Sequence, residues 1–590
     1  MFKRARSLTP PHSQVISPDM HPSPTKKTKA DTTFLPNKIA TAENAAKADQ
    51  NQPIFKLLEE VKRTVKNPPK GDAVVYWMRM EDMRISDNTA LSQASELAVK
   101  SGVPLLVLFV LSPQDYKAHD RGARRIDFTL RNLRVIQDSL AQLNIPLYTL
   151  THTPRKTLPE RVLSIMTQWK VKNVFANIEY EVDELRRDIR VSELARNGGI
   201  QCTFLHDKCV IAPGLVQTKE GRGYSVYSPF LRAWLPHLRD TPDPLSCLPS
   251  PVANHTSARC HDVYGSLFNH EIPDAIEGLE LRDGDAEQMR KCWPAGENSA
   301  KEMLLRFLYT KSRGSQLGQV DPLADGAKAP DKNPKDSRVG KYKDARDRLD
   351  ADTTSRLSPY LAAGVISARE CIRATVALSG GKVDASRDTG IGRWVQEVVW
   401  RDFYTHVLAY FPRVSMGRPF QEKFANVNWE TNEKHLQAWK DGRTGVPIVD
   451  AGMRQANTMG WMHNRVRMIT AMYLVKDLMI DWRLGEQYFM ETLIDGDLAS
   501  NNGGWQWSAS TGVDAAPYFR IFNPYTQSQK ADPTGEYIRH FVPELSNVRG
   551  DDVHNPSGNL ADKLKYPRPF VKHSEARERA IRRYKVPGQE

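Results

Sequence analysis

The chain has 590 residues, more than one hydrophobic core supports, so roughly two to four domains are expected. A hydrophobic share of 40% and a charged share of 26% are ordinary for a globular protein, and the longest apolar run, residues 104–111, is too short to cross a bilayer, which excludes a membrane-spanning protein. The formal charge of +13 sits at the ends: residues 1–70 hold 13 Lys and Arg against 6 Asp and Glu, residues 549–590 hold 10 against 6, and the body between carries only +2. A nucleic-acid groove in the body must therefore come from local clustering, not from net charge. Six cysteines without a C-x-x-C pair argue for a reducing compartment and against a zinc site, and no metal is expected.

Residues 1 to about 52 are rich in Pro, Ser, Thr, Lys and Ala without a sustained apolar period, and residues 1–70 are expected to form a basic targeting tail, disordered in that first part. Lys3-Arg4-Ala5-Arg6 and Lys26-Lys27-Thr28-Lys29 are clusters of the nuclear-import kind. Residues 1–17 lack an acid, as a mitochondrial presequence does, so nucleus and mitochondrion are both candidate destinations. Helical spacing of Ile54, Leu57, Leu58 and Val61 begins the ordered chain near Pro53.

Between 71 and 208, strand-length apolar runs at 73–78, 104–111, 145–150, 171–176 and 201–205 alternate with helical segments such as 127–143 and 181–197. That order predicts a parallel sheet wrapped by helices, with its ligand beyond the carboxyl ends of the strands. No G-x-G-x-x-G follows the first strand. Arg79, Asp82, Arg84, Asp87 and Asn88 stand there instead, a set that serves a helix cap and an ion cluster as readily as a binding site. Residues 209–300 are Pro-rich and predict a connector draped over the surface. Helical periodicity returns at 302–309, a polar loop covers 321–343, and the remainder predicts an all-helical domain over 301–545 with a second basic tail over 546–590.

Eight of the 12 tryptophans fall between 394 and 507, and Trp505-Gln506-Trp507 follows Gly503-Gly504. The two rings share a side on a strand and diverge on a helix. No metalloprotease, serine-hydrolase or Walker signature is present, so any chemistry belongs to something the chain binds. Glu397, Trp400, Arg401 and Tyr404 recur at i, i+3, i+4 and i+7, which puts a carboxylate, an indole, a guanidinium and a phenol on one helix face. That face suits a nucleobase, though an interface helix with a Glu397–Arg401 ion pair has the same pattern. Asn464 and Met468 share another face, while Arg465 and Arg467 diverge; a buried member of that pair needs a carboxylate, for which Asp495 and Asp497 are available. Arg346 and Arg348 precede Thr353-Thr354-Ser355-Arg356-Leu357-Ser358, the composition of a phosphate cradle at a helix start and equally of an N-cap.

The stretches TTSRLSPYLAAG (353–364), WVQEVVWRDFY (394–404), WMHNRVRMI (461–469) and LIDGDLASNNGGWQWSASTGVDAAPYFRIFNP (493–524) closely resemble the cryptochrome/photolyase family over roughly residues 72–545. The resemblance implies a Rossmann-like α/β antenna domain followed by a large helical domain that holds FAD, and light-driven chemistry. Asn501 matches the residue facing flavin N5 in repair enzymes, and Glu397, Trp400, Met468 and Trp507 match the class that reverses cyclobutane pyrimidine dimers in DNA. By the same resemblance Trp505, Trp482 and Trp429 form an electron path to the surface. Tyr342, Thr354, Ser355, Arg356, Leu357, Ser358, Trp394, Arg467, Asp495, Gly496, Asp497 and Asn501 are FAD contacts. Arg346, Glu397, Trp400, Arg401, Tyr404, Asn464, Arg465, Met468, Trp507 and Gln527 meet the lesion strand. His119, Asp183 and Glu184 match the site of a 5,10-methenyltetrahydrofolate antenna, with Asp183 and Met416 departing from the bacterial folate pattern and a deazaflavin or an empty site as the alternatives. The implied protein is a monomeric lyase acting on damaged DNA; a blue-light photoreceptor signalling through its tails is the second reading.

Overall fold

The computed structural model describes residues 36, 39–63, 65, 70–241, 243–312, 322–323 and 334–589. Five strands, β1 (Val74–Met78), β2 (Leu105–Leu111), β3 (Leu147–Thr151), β4 (Asn173–Asn177) and β5 (Gln201–Leu205), form one parallel sheet in the order β3-β2-β1-β4-β5. Parallel neighbours need crossovers, and the helices Thr89–Ser101, Ala123–Gln142, Leu158–Gln168 and Val182–Asn197 supply them. Strand periodicity sorts the side chains of β1: Val74, Tyr76 and Met78 belong to the core shared with the helical half, Val75 and Trp77 to the core on the opposite face.

The charged turn after β1 is a cap and an ion cluster. Asn88 accepts from the Leu91 N–H at 3.1 Å to start its helix. Arg84 donates to the Gly364 carbonyl at 2.9 Å and pairs with Asp207, and Arg369 pairs with both Asp87 and Asp207. The turn thereby fastens the sheet to the helical half.

Beyond residue 208 the described chain is helical, apart from an isolated bridge between Glu430 and Ile480. The connector is not merely draped: helix Tyr227–Asp240 buries Phe230, Trp234 and Leu238, and the Asp402 carboxylate accepts from the Val210 N–H at 3.0 Å, the Ile211 N–H at 3.2 Å and the Trp234 indole at 3.1 Å. No helix among the described residues is long and apolar enough to cross a membrane.

Order extends past both expected ends. Ala42–Gln50 is a helix within the stretch whose composition predicts disorder, held by Asp49 on the Arg413 N–H at 3.1 Å, by the Ala40 N–H on the Met416 carbonyl at 3.0 Å and by Gln52 on the Tyr410 carbonyl at 2.7 Å. Its buried residues, Ala45 and Ala48, are too small to produce an apolar signal, so the order comes from the surface it docks on. At the other end, helix His573–Lys585 buries Ala576, Ala580 and Tyr584, and Arg579 and His573 both bond Asp477. The helical half thus runs on through the stretch expected as a tail. The clusters at 3–6 and 26–29 lie outside the described residues, as does much of the loop 321–343.

Gly364 marks where the two halves meet: its φ is +65°, and an added Cβ would lie 1.9 Å from the Glu81 carbonyl oxygen. Gly102 has φ +63° with nothing within 4 Å of its Cβ position. Chemical denaturation of Gly364→Ala is expected to show a loss of about 3–5 kcal/mol, against about 1 kcal/mol for Gly102→Ala, because only the first adds a backbone clash to the left-handed strain.

Candidate flavin and lesion site

Helix Leu498–Ser508 organises the site. Asp497 caps it by accepting from the Ser500 N–H at 2.8 Å, and the same carboxylate pairs with Lys208 at 2.6 Å. Burial alone would raise the Asp497 carboxyl, but Lys208 and Arg401 hold it well below the carboxylate range. Being helical, the segment separates its two indoles. Trp505 is 2% exposed, edge-on to Phe489 at 4.9 Å and to Trp439 at 6.0 Å, while Trp507 is half-buried beside Phe522 at 6.3 Å. Gly485 lets Trp505 approach, since a Cβ there would sit 2.1 Å from the ring. Gly503 gives the same clearance to Tyr404, whereas Gly504 faces open space. Asn501 donates to the Glu486 carbonyl at 2.9 Å and Asn502 to the Glu486 carboxylate at 2.8 Å.

Glu397, Trp400 and Tyr404 lie on the long helix Gly390–Tyr410. Tyr227 lies flat on Trp400, ring centroids 3.7 Å apart and planes 6° from parallel, fixed by its hydroxyl donating to the Gln396 carbonyl at 3.0 Å. One face of Trp400 is thus taken by protein. The Glu397–Arg401 pair does not form. Glu397 bonds Arg346 instead, and Arg401 turns away to donate to the carbonyls of Lys208 and of Leu361, the latter at 3.1 Å. A partly buried guanidinium takes the acceptors at hand, and these two carbonyls belong to other segments than the long helix. Burial raises the Glu397 carboxyl while Arg346 opposes the rise. Arg465 pairs with Asp347 at 2.7 Å and touches the Met468 sulfur at 3.7 Å; Asn464 is exposed and Gln527 half-buried.

Arg467 forms a two-pronged pair with Asp495, at 3.1 and 2.7 Å, and the Gly496 carbonyl accepts from Arg121 at 3.0 Å. Tyr342 and Trp394 both pack on Phe307, at 5.5 and 5.2 Å. In the Thr354–Ser358 turn, Arg356 adopts φ +52° and donates to Asp352 at 3.1 Å, Leu357 is buried with its N–H on the Ser355 hydroxyl at 3.3 Å, and Ser358 accepts from the Trp461 indole at 3.0 Å. Among the described residues, one Arg356 terminal nitrogen and the Trp505 indole nitrogen are buried without a protein partner. A cationic donor at a hydroxyl-rich turn fits a phosphate.

Trp482 is 1% exposed beneath the Arg483 guanidinium, which lies 4.7 Å from the ring centre. Trp429 is half-buried and is joined to the segment ahead of Trp482 by the Glu430 N–H on the Met479 carbonyl at 2.7 Å. In the α/β half, His119 lies 2.6 Å from Glu181, 3.4 Å from Glu184 and 4.0 Å from Asp183, which itself pairs with Arg155 at 2.9 Å. Burial would lower the His119 imidazole, yet Glu184 and Glu181 push it up to about 9. Arg79 stacks on Trp77 at 3.6 Å and pairs with Asp188 at 3.1 Å, and Arg79 and Trp77 line a crevice at the end of β1 together with His119 and Glu184.

Residues 394–586 match the family model described as the FAD binding domain of DNA photolyase, and residues 74–250 match that described as DNA photolyase. The chain is 41% identical to the deoxyribodipyrimidine photo-lyase of Neurospora crassa over 574 residues, 94% of this chain and 88% of that protein. It belongs to the DNA photolyase family. Its similarity to the Escherichia coli deoxyribodipyrimidine photo-lyase is 38% over 87% of this chain and 98% of that one, and to the mitochondrial deoxyribodipyrimidine photo-lyase of Saccharomyces cerevisiae 33% over 92% and 91%. Among solved structures, a class III photolyase of Agrobacterium tumefaciens superposes with a TM-score of 0.71 at 31% identity, covering 89% of this chain and all (100%) of that one. The photolyase match thus extends past 545 to the C-terminal helix.

Several site residues escaped the sequence. Tyr227 lies in the connector, far from Trp400 in the chain; Lys208 and Arg121 act from the α/β half; and Trp439, although in the tryptophan-rich stretch, has no local pattern that assigns it to Trp505. Glu486 is signalled by nothing local: burial pushes its carboxyl up to about 7, with Asn502 opposing. A carboxyl raised in the fold binds its proton more tightly there than in the unfolded chain, so stability falls as pH rises from about 4.5 through 7. Equilibrium denaturation across that window should show Glu486→Gln flattening the decline by roughly 1–3 kcal/mol.

Proposed function

We propose that this protein is a light-driven DNA repair lyase that reverses cyclobutane pyrimidine dimers, with FAD in the helical half. The observation that supports the reading is the face of the helix Gly390–Tyr410. Glu397, Trp400 and Tyr404 share it, Tyr227 covers one face of Trp400, Arg346 pairs with Glu397, and Gly503 of the helix bearing Trp505 and Trp507 clears Tyr404.

A dimer stacks and pairs poorly in the duplex, so its extrusion costs less than that of normal bases; photolyases are among the general examples of base flipping. The remaining face of Trp400 offers stacking worth roughly 1–3 kcal/mol per base. Arg346, Asn464, Arg465 and Gln527 would meet the lesion strand, as the family resemblance implies, and phosphate contacts make affinity salt-dependent. When Arg346 leaves Glu397 for a phosphate, the cation that opposed the raised carboxyl is withdrawn. Glu397 is then free to hydrogen-bond the pyrimidine edge. FAD, when bound, supplies the photo-excited electron that splits the ring. Tyr342, Thr354 to Ser358, Trp394, Arg467 and Asp495 to Asp497 would hold it, with Asn501 beside its ring system. Trp505, Trp482 and Trp429 carry replacement electrons from the surface.

The antenna is 5,10-methenyltetrahydrofolate bound at His119, Asp183 and Glu184. In support, one Glu184 oxygen is buried with no protein partner among the described residues, an acceptor for a pterin N–H. The protein acts as a monomer in the nucleus and mitochondrion, addressed by its basic N-terminal clusters.

Photoreduced protein mixed with thymine-dimer oligonucleotide should restore thymine absorbance under blue light and not in the dark. Photoreduction of bound FAD without thymine recovery would turn the reading to a photoreceptor. Trp400→Ala is expected to weaken dimer binding by about 1–3 kcal/mol in a salt-controlled titration, with Trp400→Phe recovering most of the loss. His119→Ala should release a folate chromophore, read in the absorption spectrum, while FAD stays bound and flavin-excited repair persists.

A further inference from the structure

Beside Trp429 lies a cavity of about 340 Å³, lined by Pro36, Val427, Trp429, Glu430, Asp481 and Leu484 with Thr431 at its exposed edge. We propose that this cavity is the docking site at which a small uncharged aromatic reductant, of the phenol or hydroquinone class, returns an electron to Trp429. The proposal rests on the reading of Trp505, Trp482 and Trp429 as an electron path.

Exposure singles out the entry point. Trp505 and Trp482 are 2% and 1% exposed, whereas Trp429 is half-buried, so a donor from solution can meet the path only there. Tyr584 meets Trp429 edge-on at 6.0 Å, but its hydroxyl is buried without a partner among the described residues, and burial raises it well above the ordinary phenol range. A tyrosine with no acceptor for its proton is a poor electron donor, which leaves the cavity side of the indole.

The lining defines the occupant. Glu430 pairs with Arg583 at 2.8 Å and Arg579 at 3.7 Å, and Asp481 with Arg483 at 2.9 Å, so the two carboxylates are already compensated and neither an anion nor a cation gains by entering. Pro36, Val427 and Leu484 add apolar surface and Trp429 a π face, which suits a flat neutral ring. The volume lies at the low end of ligand pockets, about 300–1,000 Å³.

The step balances as a single electron transfer. Oxidised Trp429 takes one electron from the docked hydroquinone; the donor loses one hydroxyl proton to water and leaves as its neutral radical, and the indole is restored.

The test is flash spectroscopy on the FAD-loaded full chain, following decay of oxidised Trp429 against the concentration of p-hydroquinone and, separately, of ascorbate anion. The expected result is a decay rate that saturates with hydroquinone and rises linearly with ascorbate, at least about 10-fold slower at equal concentration. Thr431→Phe, which fills the cavity mouth with a ring that oxidised Trp429 cannot oxidise, should make the hydroquinone dependence linear without changing the yield of oxidised Trp429, which forms before docking. In the dark, hydroquinone should quench tryptophan fluorescence saturably in the parent protein and not in that variant. A linear dependence in the parent, or saturation unaltered by Thr431→Phe, overturns the docking site alone. Failure to form oxidised Trp429 after the flash overturns the electron path and the docking site with it.

Discussion

Lys208 is the point on which the two halves of the molecule depend. It follows β5, is nearly inaccessible, and is shared between Glu81 at 2.8 Å and Asp497 at 2.6 Å, both buried. Taking one such charge from water without a partner costs several kcal/mol, so the three groups can occupy the junction only together. Asp497 is also the cap of the helix bearing Asn501, Trp505 and Trp507. The ammonium of the α/β half therefore decides whether that helix begins where it does, and with it where both indoles stand. Arg121, donating to Gly496 while pairing with Glu181, repeats the connection one residue earlier and ties the flavin loop to the carboxylate that also holds His119.

What was legible in the sequence was what periodicity and local composition control. Strand-length runs separated by helical segments gave a parallel sheet, because hydrophobic continuity over five to seven residues marks a strand covered on both faces. Arg467 found one of the two aspartates on offer, Asp495. Periodicity fails where an element gains its order from a neighbour. Ala42–Gln50 buries only alanines and takes its order from Arg413 and Met416, and His573–Lys585 has its few buried residues masked by ten other, mostly charged or polar, positions. Cα spacing on a helix likewise cannot reveal competing partners. Glu397 and Arg401 are four residues apart and ready to pair, yet Arg346 takes the carboxylate while two carbonyls of the junction take the guanidinium.

The same limit hides the most specific contact at the site. Tyr227 and Trp400 are stacked almost in parallel, but the tyrosine comes from a Pro-rich connector with no periodic signal to link it with the long helix. Its consequence is directional. A Trp with both faces free can rotate to meet a ligand, whereas this one has its plane set by a ring whose hydroxyl is anchored on Gln396. The site is thereby preorganised for stacking on one side only, and the rotamer cost of ordering the indole is met on folding and not on binding.

The arginine pairs at the site set the opposing cost. Arg346 with Glu397 and Arg465 with Asp347 are complete within the protein, so a phosphate must compete with a carboxylate already in place. Each exchange gains less than a new ion pair between free groups in the same place would, since one favourable contact is lost for each made. The exchange is not symmetrical, however. Asp347 is about half exposed, so water can replace Arg465 there, while Glu397 is less exposed and burial favours its uncharged form once Arg346 has gone. Releasing Arg346 therefore costs the protein more than releasing Arg465 does.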